Sequence, residues 1–263
     1  MKRIIFFLVA FIIAQPVKSQ ENISTAVEEI GCGDVMIHFV TSCSSDLPEI
    51  RFIHVHENEK TAVQVAYNML DKYGKGCFST WKTQDDRYVS FTMGSGNYKF
   101  DPNRIFSEKG RRETLDSNGD YSQEAADAVA VVAELFEKNY VDSNRLVVAM
   151  HNNTNDGGLT IRSYAKGGDY SKDAKKVYIN KTRDVDDFFI TTDERIYDFL
   201  KKKKFNIMLQ DNANANDDGS LSIYAAAKGI AYLNVEAEHG HLQQQTEMMR
   251  MVFEMIRQIF PSK

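Results

Sequence analysis

The feature that most constrains this 263-residue chain is a repeated alternation of short runs rich in β-branched and other apolar residues with stretches of helical periodicity. Strand-like runs fall at 35–40, 49–54, 88–93, 145–150, 188–191, 205–209 and 230–235, and helical patterns at 59–73, 122–139, 193–203 and 241–260. In the first helix, Ala62, Val65, Ala66, Met69 and Leu70 recur at the spacing that lines one helical face. Ser122 ahead of Glu124 and Ala125, and Thr192-Asp193-Glu194, read as capped helix starts. The methionine-rich last helix reads as a core helix. Strands alternating with helices predict an α/β sheet, mostly parallel and covered by helices on both faces.

Residues 1–19 read as a secretory signal peptide. Lys2 and Arg3 precede an apolar stretch, Ile4 to Ala14, too short to span a bilayer, and Val17 and Ser19 suit a cleavage site before Gln20. The expected product is a domain over 20–263, secreted or periplasmic, with no stable membrane insertion after cleavage. No repeat and no Pro- or Ser-rich linker divides it, and a formal charge of −5 offers no basic footprint for nucleic acid. Cys32, Cys43 and Cys77 are too scattered for a metal cluster. In an oxidising compartment Cys32 with Cys43 is the local pairing, and the odd number leaves one thiol over.

In sheets of this kind ligands bind beyond the carboxyl ends of the strands, so the residues there decide the chemistry. His56 stands where the run 50–55 ends, and Glu59 lies in the first turn of the following helix. His151 closes Leu146-Val147-Val148-Ala149-Met150, and Glu236 closes Ile230 to Val235 with Glu238, His239 and His241 just after it. A catalytic zinc takes three protein ligands and keeps one position open. His56, Glu59 and His151 would meet that need, and a separate carboxylate, Glu236, would serve as general base. Glu238 shares a strand face with Glu236 and is the other candidate for that role. His54 shares a face with His56, but only His56 stands three residues before Glu59. In the loop 99–106, Arg104 offers the guanidinium fork that clamps a carboxylate.

Taken together and in order, these stretches resemble the zinc carboxypeptidase superfamily, including its aspartoacylase and succinylglutamate desuccinylase branch. His56-Glu57-Asn58-Glu59 is similar to that branch's H-G-N-E element, and Asp101-Pro102-Asn103-Arg104 with Phe106 to its D-L-N-R-x-F segment. Met150 to Thr154 resembles L-H-N-T-T, and Gly219-Ser220 to Tyr224, then Lys228 to Glu236, resembles the carboxypeptidase ending G-S-x-D-x-x-Y…G-I-x-Y-x-F-T-x-E. The resemblance implies a single zinc carboxypeptidase-like α/β domain with a mixed central sheet and one zinc ion. His56, Glu59 and His151 would hold the metal, Asn103 and Arg104 a substrate carboxylate, and Glu236 would be the base.

The chain departs from the pattern in several places. Pro102 replaces the usual Leu, and Glu57 replaces Gly, so Glu57 either adds charge beside the metal or faces away. The superfamily's upstream carbonyl-polarising Arg has one positional candidate, Arg87, the sole Arg between Glu59 and Arg104. Its mobile active-site Tyr has no counterpart, and 210–218 is polar and loop-like where that Tyr is expected. His239 and His241 sit at the start of the last helix, as caps or as contacts to the site. The function implied is an exported zinc-dependent amide hydrolase acting on peptides, cell-wall stem peptides or N-acyl amino acids. The competing readings are a muramoyl-peptide amidase and a non-catalytic binding module that keeps the fold.

Overall fold

The computed structural model describes residues 23–155 and 158–261, so the expected signal peptide at 1–19 lies outside the described residues. The chain runs β1 (Ile23–Cys32), β2 (Val35–Ser44), β3 (Asp46–His54), α1 (Lys60–Tyr73), β4 (Lys75–Lys82), β5 (Val89–Met93) and β6 (Gly96–Phe100). It continues through α2 (Glu108–Asn118), α3 (Gln123–Phe136), β7 (Leu146–Asn153), β8 (Ala174–Tyr178), β9 (Phe188–Thr191) and α4 (Glu194–Lys202). The last elements are β10 (Ile207–Gln210), α5 (Leu221–Ala227), β11 (Ala231–Glu238) and α6 (Leu242–Ile259). Nine strands form one sheet in the order β1-β2-β4-β3-β7-β11-β9-β10-β8. β1, β3, β4, β7, β8 and β11 run one way and β2, β9 and β10 the other, so the sheet is mixed with a parallel centre.

The centre is parallel because its strands are apolar on both faces. In β7, Leu146, Val148 and Met150 pack with the buried stripes of α1, α4 and α6, while Val147 and Ala149 pack on the opposite side against α3 and α5. Each such side chain, fully buried, contributes about 1.5–3 kcal/mol. The methionines of α6 belong to this core: Met248, Met249 and Met255 are at most 1% exposed. The same alternation carries His151 onto the face of Ala149, and β11 sets Glu236 directly beside His151 in the parallel register.

The main α/β pattern holds, with differences at its margins. The run expected at 88–93 is β5, which pairs only with β6 in a separate two-stranded sheet. β1 and β8 are strands without an apolar signature because they lie at the two sheet edges and are largely exposed. β4 is buried yet carries Ser79 and Thr80, whose hydroxyls bond Thr41 and His54 on the adjoining strands. The polar helix α2 buries only Gly110, Thr114 and Leu115. A Cβ on Gly110 would come within 2.3 Å of the Gly219 Cα, so only glycine lets α2 approach the segment entering α5.

The expected Cys32–Cys43 pairing is not formed; Cys43 bonds Cys77, and Cys32 is a buried free thiol. The hairpin register explains the correction. Cys32 lies opposite Val35 at the turn, and Cys43 lies eight residues further along β2, roughly 27 Å away at the rise of an extended strand. Cys43 and Cys77 are instead partners across β2 and β4, with Cα atoms 4.1 Å apart. Closing a loop of sequence separation 34 is expected to stabilise the fold by about 4 kcal/mol on the chain-entropy estimate. Reduction, or Cys77→Ala, should therefore lower the melting temperature markedly, while Cys32→Ala leaves the crosslink intact. Peptide mapping under non-reducing conditions checks the assignment, and a Cys32–Cys43 peptide would refute it.

Candidate metal centre

His56 leaves β3 into a tight turn in which the Glu59 amide donates to the His56 carbonyl (3.0 Å), and Glu59 opens α1. The turn aims both side chains at the end of β7. His56 Nδ1 lies 2.9 Å from Glu59 Oε1, and His151 Nδ1 lies 3.0 Å from Glu59 Oε2. Glu59 and His56 are each 1% exposed and His151 5%. One ligand atom from each of the three falls within 4.8 Å of the other two. Two imidazoles and a carboxylate converging in this way fit a zinc-type divalent cation. His54, by contrast, bonds Thr80, and burial pushes its imidazole down to about 3, so it is a neutral structural group.

Asp101, to which the sequence reading gave no role, joins this group. Its Oδ1 accepts from His56 Nε2 at 2.7 Å, the outer contact that orients a metal-binding imidazole and fixes which nitrogen faces the ion. The same oxygen caps the turn Pro102–Arg104 by accepting from the Asn103 amide at 2.8 Å. An Asp before Pro-Asn is a recognisable cap signal, but its second acceptor role is visible only in three dimensions. Arg87 bridges the assembly, with Nη1 3.1 Å from Glu59 Oε1 and Nη2 3.2 Å from Asp101 Oδ2.

Charge explains the titration of the group. Burial by itself would lower the His56 imidazole, but Glu59 and then Asp101 outweigh it and raise it to about 9. Burial likewise opposes ionisation of Glu59, yet His56 and His151 hold it well below the usual carboxylate range. Glu236 is shifted the other way, chiefly because it is buried; His151 opposes the rise and Glu59 adds to it.

Arg87, Asn103, Arg104 and Glu236 line one cleft of about 380 Å³ that also contains the His–Glu–His group. Glu236 is 5% exposed and accepts from Asn234 Nδ2 at 3.0 Å. Glu238 does not line the cleft. Asn103 braces the start of α5, its Oδ1 accepting from the Leu221 amide at 3.1 Å. Arg104 donates to the Asn103 carbonyl at 2.9 Å and lies 3.5 Å from Asp218, with two-fifths of its side chain open. His239 reaches the cleft; His241 opens α6 without capping it through its side chain. Tyr164, from the turn Ile161–Tyr164, also lines the cleft and carried no signal in the sequence.

Behind the cleft, Asn152 accepts from the Ala62 amide and donates to the Ala237 carbonyl and to Gln245. Gln245 in turn donates to the His151 carbonyl at 3.0 Å. These buried amides lock the ends of β7 and β11 to the starts of α1 and α6.

Glu57 faces away from the metal group. Its Oε2 accepts from the amides of Thr83, Gln84 and Asp85 (2.6, 2.8 and 2.9 Å) and from the Thr83 hydroxyl (3.0 Å). It thereby folds the loop that carries Arg87 against the site. Glu57→Ala leaves those amides without their acceptor, a loss of about 1–3 kcal/mol. Amide hydrogen exchange at 83–85 should accelerate about tenfold or more; unchanged protection would exclude this role.

No family model matches the sequence, and no curated protein matches it. Solved structures do resemble the fold. An aspartoacylase family protein from Mesorhizobium loti is 12% identical with a TM-score of 0.43, covering 90% of this chain and 67% of its own. A succinylglutamate desuccinylase/aspartoacylase from Rhodobacter sphaeroides is 10% identical with a TM-score of 0.43, over 94% and 69%. Thrombin activatable fibrinolysis inhibitor is 11% identical with a TM-score of 0.49, over 89% and 72%. At such identities the likeness is one of fold, and the side chains of the cleft stand on their own geometry.

Proposed function

We propose that the chain is an exported zinc-dependent amide hydrolase that cleaves an amide close to a free carboxylate, with a peptide or an N-acyl amino acid as substrate. The observation that carries this reading is the register of β7 and β11, which sets the Glu236 carboxylate beside His151 in the cleft that holds His56 and Glu59. His56, Glu59 and His151 would hold the zinc, which when bound supplies Lewis acidity at the scissile carbonyl.

The protein's own groups carry the rest. Glu236, buried and with its carboxyl raised, takes a proton from the attacking water and returns it to the departing nitrogen. Asp101 keeps the Nε2 proton of His56 and so turns Nδ1 inward. Arg104 and Asn103 would receive the substrate carboxylate, and Arg87, which lines the same cleft, would polarise the scissile carbonyl. Export is supported by the apolar segment Ile4 to Ala14 and by the Cys43–Cys77 bond, which suits an oxidising compartment. Residues 20–263 would form the hydrolase domain.

Incubating zinc-loaded protein with peptides, stem peptides and N-acyl amino acids, read by mass spectrometry, tests the reaction and separates its substrate classes. Glu236→Gln should lower turnover by about 10²–10⁴-fold while zinc content is unchanged. Full turnover in that variant would remove Glu236 as the base, and zinc-independent turnover would remove the metal reading. Arg104→Ala should cost about 10–100-fold in kcat/KM, mostly through KM, for substrates bearing the carboxylate, and little for their amidated counterparts. Binding without turnover by any of the panel would make the chain a binding module.

A further inference from the structure

A second group of metal-ligating side chains lies outside the cleft. Asp184, in the segment leading into β9, Glu238, at the end of β11, and His241, at the start of α6, bring one ligand atom each within 4.8 Å of the others. None of the three lines the cleft. We propose that Asp184, Glu238 and His241 form a separate divalent-cation site, of the zinc or manganese kind, that ties β9, β11 and α6 together.

The imidazole is already held as a ligand would be. His241 Nδ1 lies 3.2 Å from each oxygen of Asp187, a contact that fixes the Nδ1 proton and turns Nε2 inward. Nε2 then lies 3.3 Å from Glu238 Oε2, an enclosed oxygen that accepts no hydrogen bond. Asp187 is itself placed by the chain, since its Oδ1 accepts from the Glu238 amide at 3.1 Å.

A further carboxylate stands in the same segment. Asp186 is 5% exposed, and its Oδ1 is enclosed without any donor among the described residues. Its backbone amide donates to Asp184 Oδ1 at 3.1 Å, which keeps it beside that ligand. A buried carboxylate without a donor is costly unless a cation neutralises it. The nearby Arg183 is committed elsewhere, pairing with Glu247 at 2.9 Å and lying over the Phe205 ring. The carboxylates of Asp187 and Glu238 both contact the one imidazole, and Asp184 brings an oxygen to the same group. The start of α6 opposes a cation with only about half a positive charge, which these carboxylates exceed.

The ligand types select the ion. An imidazole nitrogen with carboxylate oxygens suits zinc or manganese, whereas calcium and magnesium prefer all-oxygen shells. The alternative occupant is a proton: a positively charged His241 bridging Asp187 and Glu238 would be an ion pair and no more. Zinc itself distinguishes the two. Full-length protein equilibrated with zinc, desalted and measured by elemental analysis should retain about two equivalents, falling to about one in His241→Ala and in the near-isosteric Glu238→Gln. In a His151→Ala background, which disables the first group, zinc should still raise the melting temperature, and adding Glu238→Gln should abolish that rise. One equivalent in the unmutated chain that both single variants keep, or two retained in both, would overturn the proposal. So would loss only in His241→Ala, which would mark a surface imidazole acting alone.

Discussion

The structure turns on a single buried charge. Glu59 sits at the first turn of α1 with 1% of its surface exposed, where an unpaired carboxylate would cost several kcal/mol. Its burial is tolerable because His56, His151 and Arg87 all reach it. Those three come from different parts of the chain: the end of β3, the end of β7 and the loop after β4. Neutralising Glu59 therefore requires the central sheet to be in register and the 83–87 loop to be closed. A divalent cation at the same point would do the same job more completely, and the donor types are those a zinc ion takes.

Around that charge the polar groups are arranged in pairs of duties. Asp101 orients His56 and caps the turn bearing Asn103 and Arg104, so the His–Glu–His group and that turn share one anchor. Glu57 closes the loop that delivers Arg87, so this carboxylate beside His56 serves the loop and does not join the His–Glu–His group. Asn152 and Gln245 connect the backbone of His151 to α1 and α6. A satisfied buried network of this sort confers rigidity that apolar packing alone does not.

The sheet's asymmetry separates the two acidic residues that the sequence placed on one strand face. Glu236 is beside His151 inside the cleft, while Glu238 lies two residues further, beyond the β9 pairing and beside Asp187 and His241. β9 runs antiparallel to β11, so its acidic lead-in, Asp184 to Asp187, arrives at the same end of the sheet as the ends of β7 and β11. A parallel β9 would have carried those carboxylates to the opposite end.

Much was legible in the sequence because the relevant signals are local. The strand–helix alternation, the His56–Glu59 spacing and the capped starts of α3 and α4 depend on neighbours a few residues apart; α1, α3, α4 and α6 appear within about one turn of their expected bounds, whereas α2 and α5 were not expected. Edge strands β1 and β8 escaped because an exposed strand needs no apolar pattern, and β4 because its buried hydroxyls are satisfied by partners on other strands. The Cys43–Cys77 pairing, the second role of Asp101, the outward turn of Glu57 and the enclosure of Asp186 Oδ1 are all set by contacts between residues far apart in the chain. Residue order alone specifies an α/β chain with a His–Glu corner at the start of α1. Which distant carboxylates and imidazoles share a charge is settled in three dimensions, because register and strand direction, not composition, bring them within bonding distance.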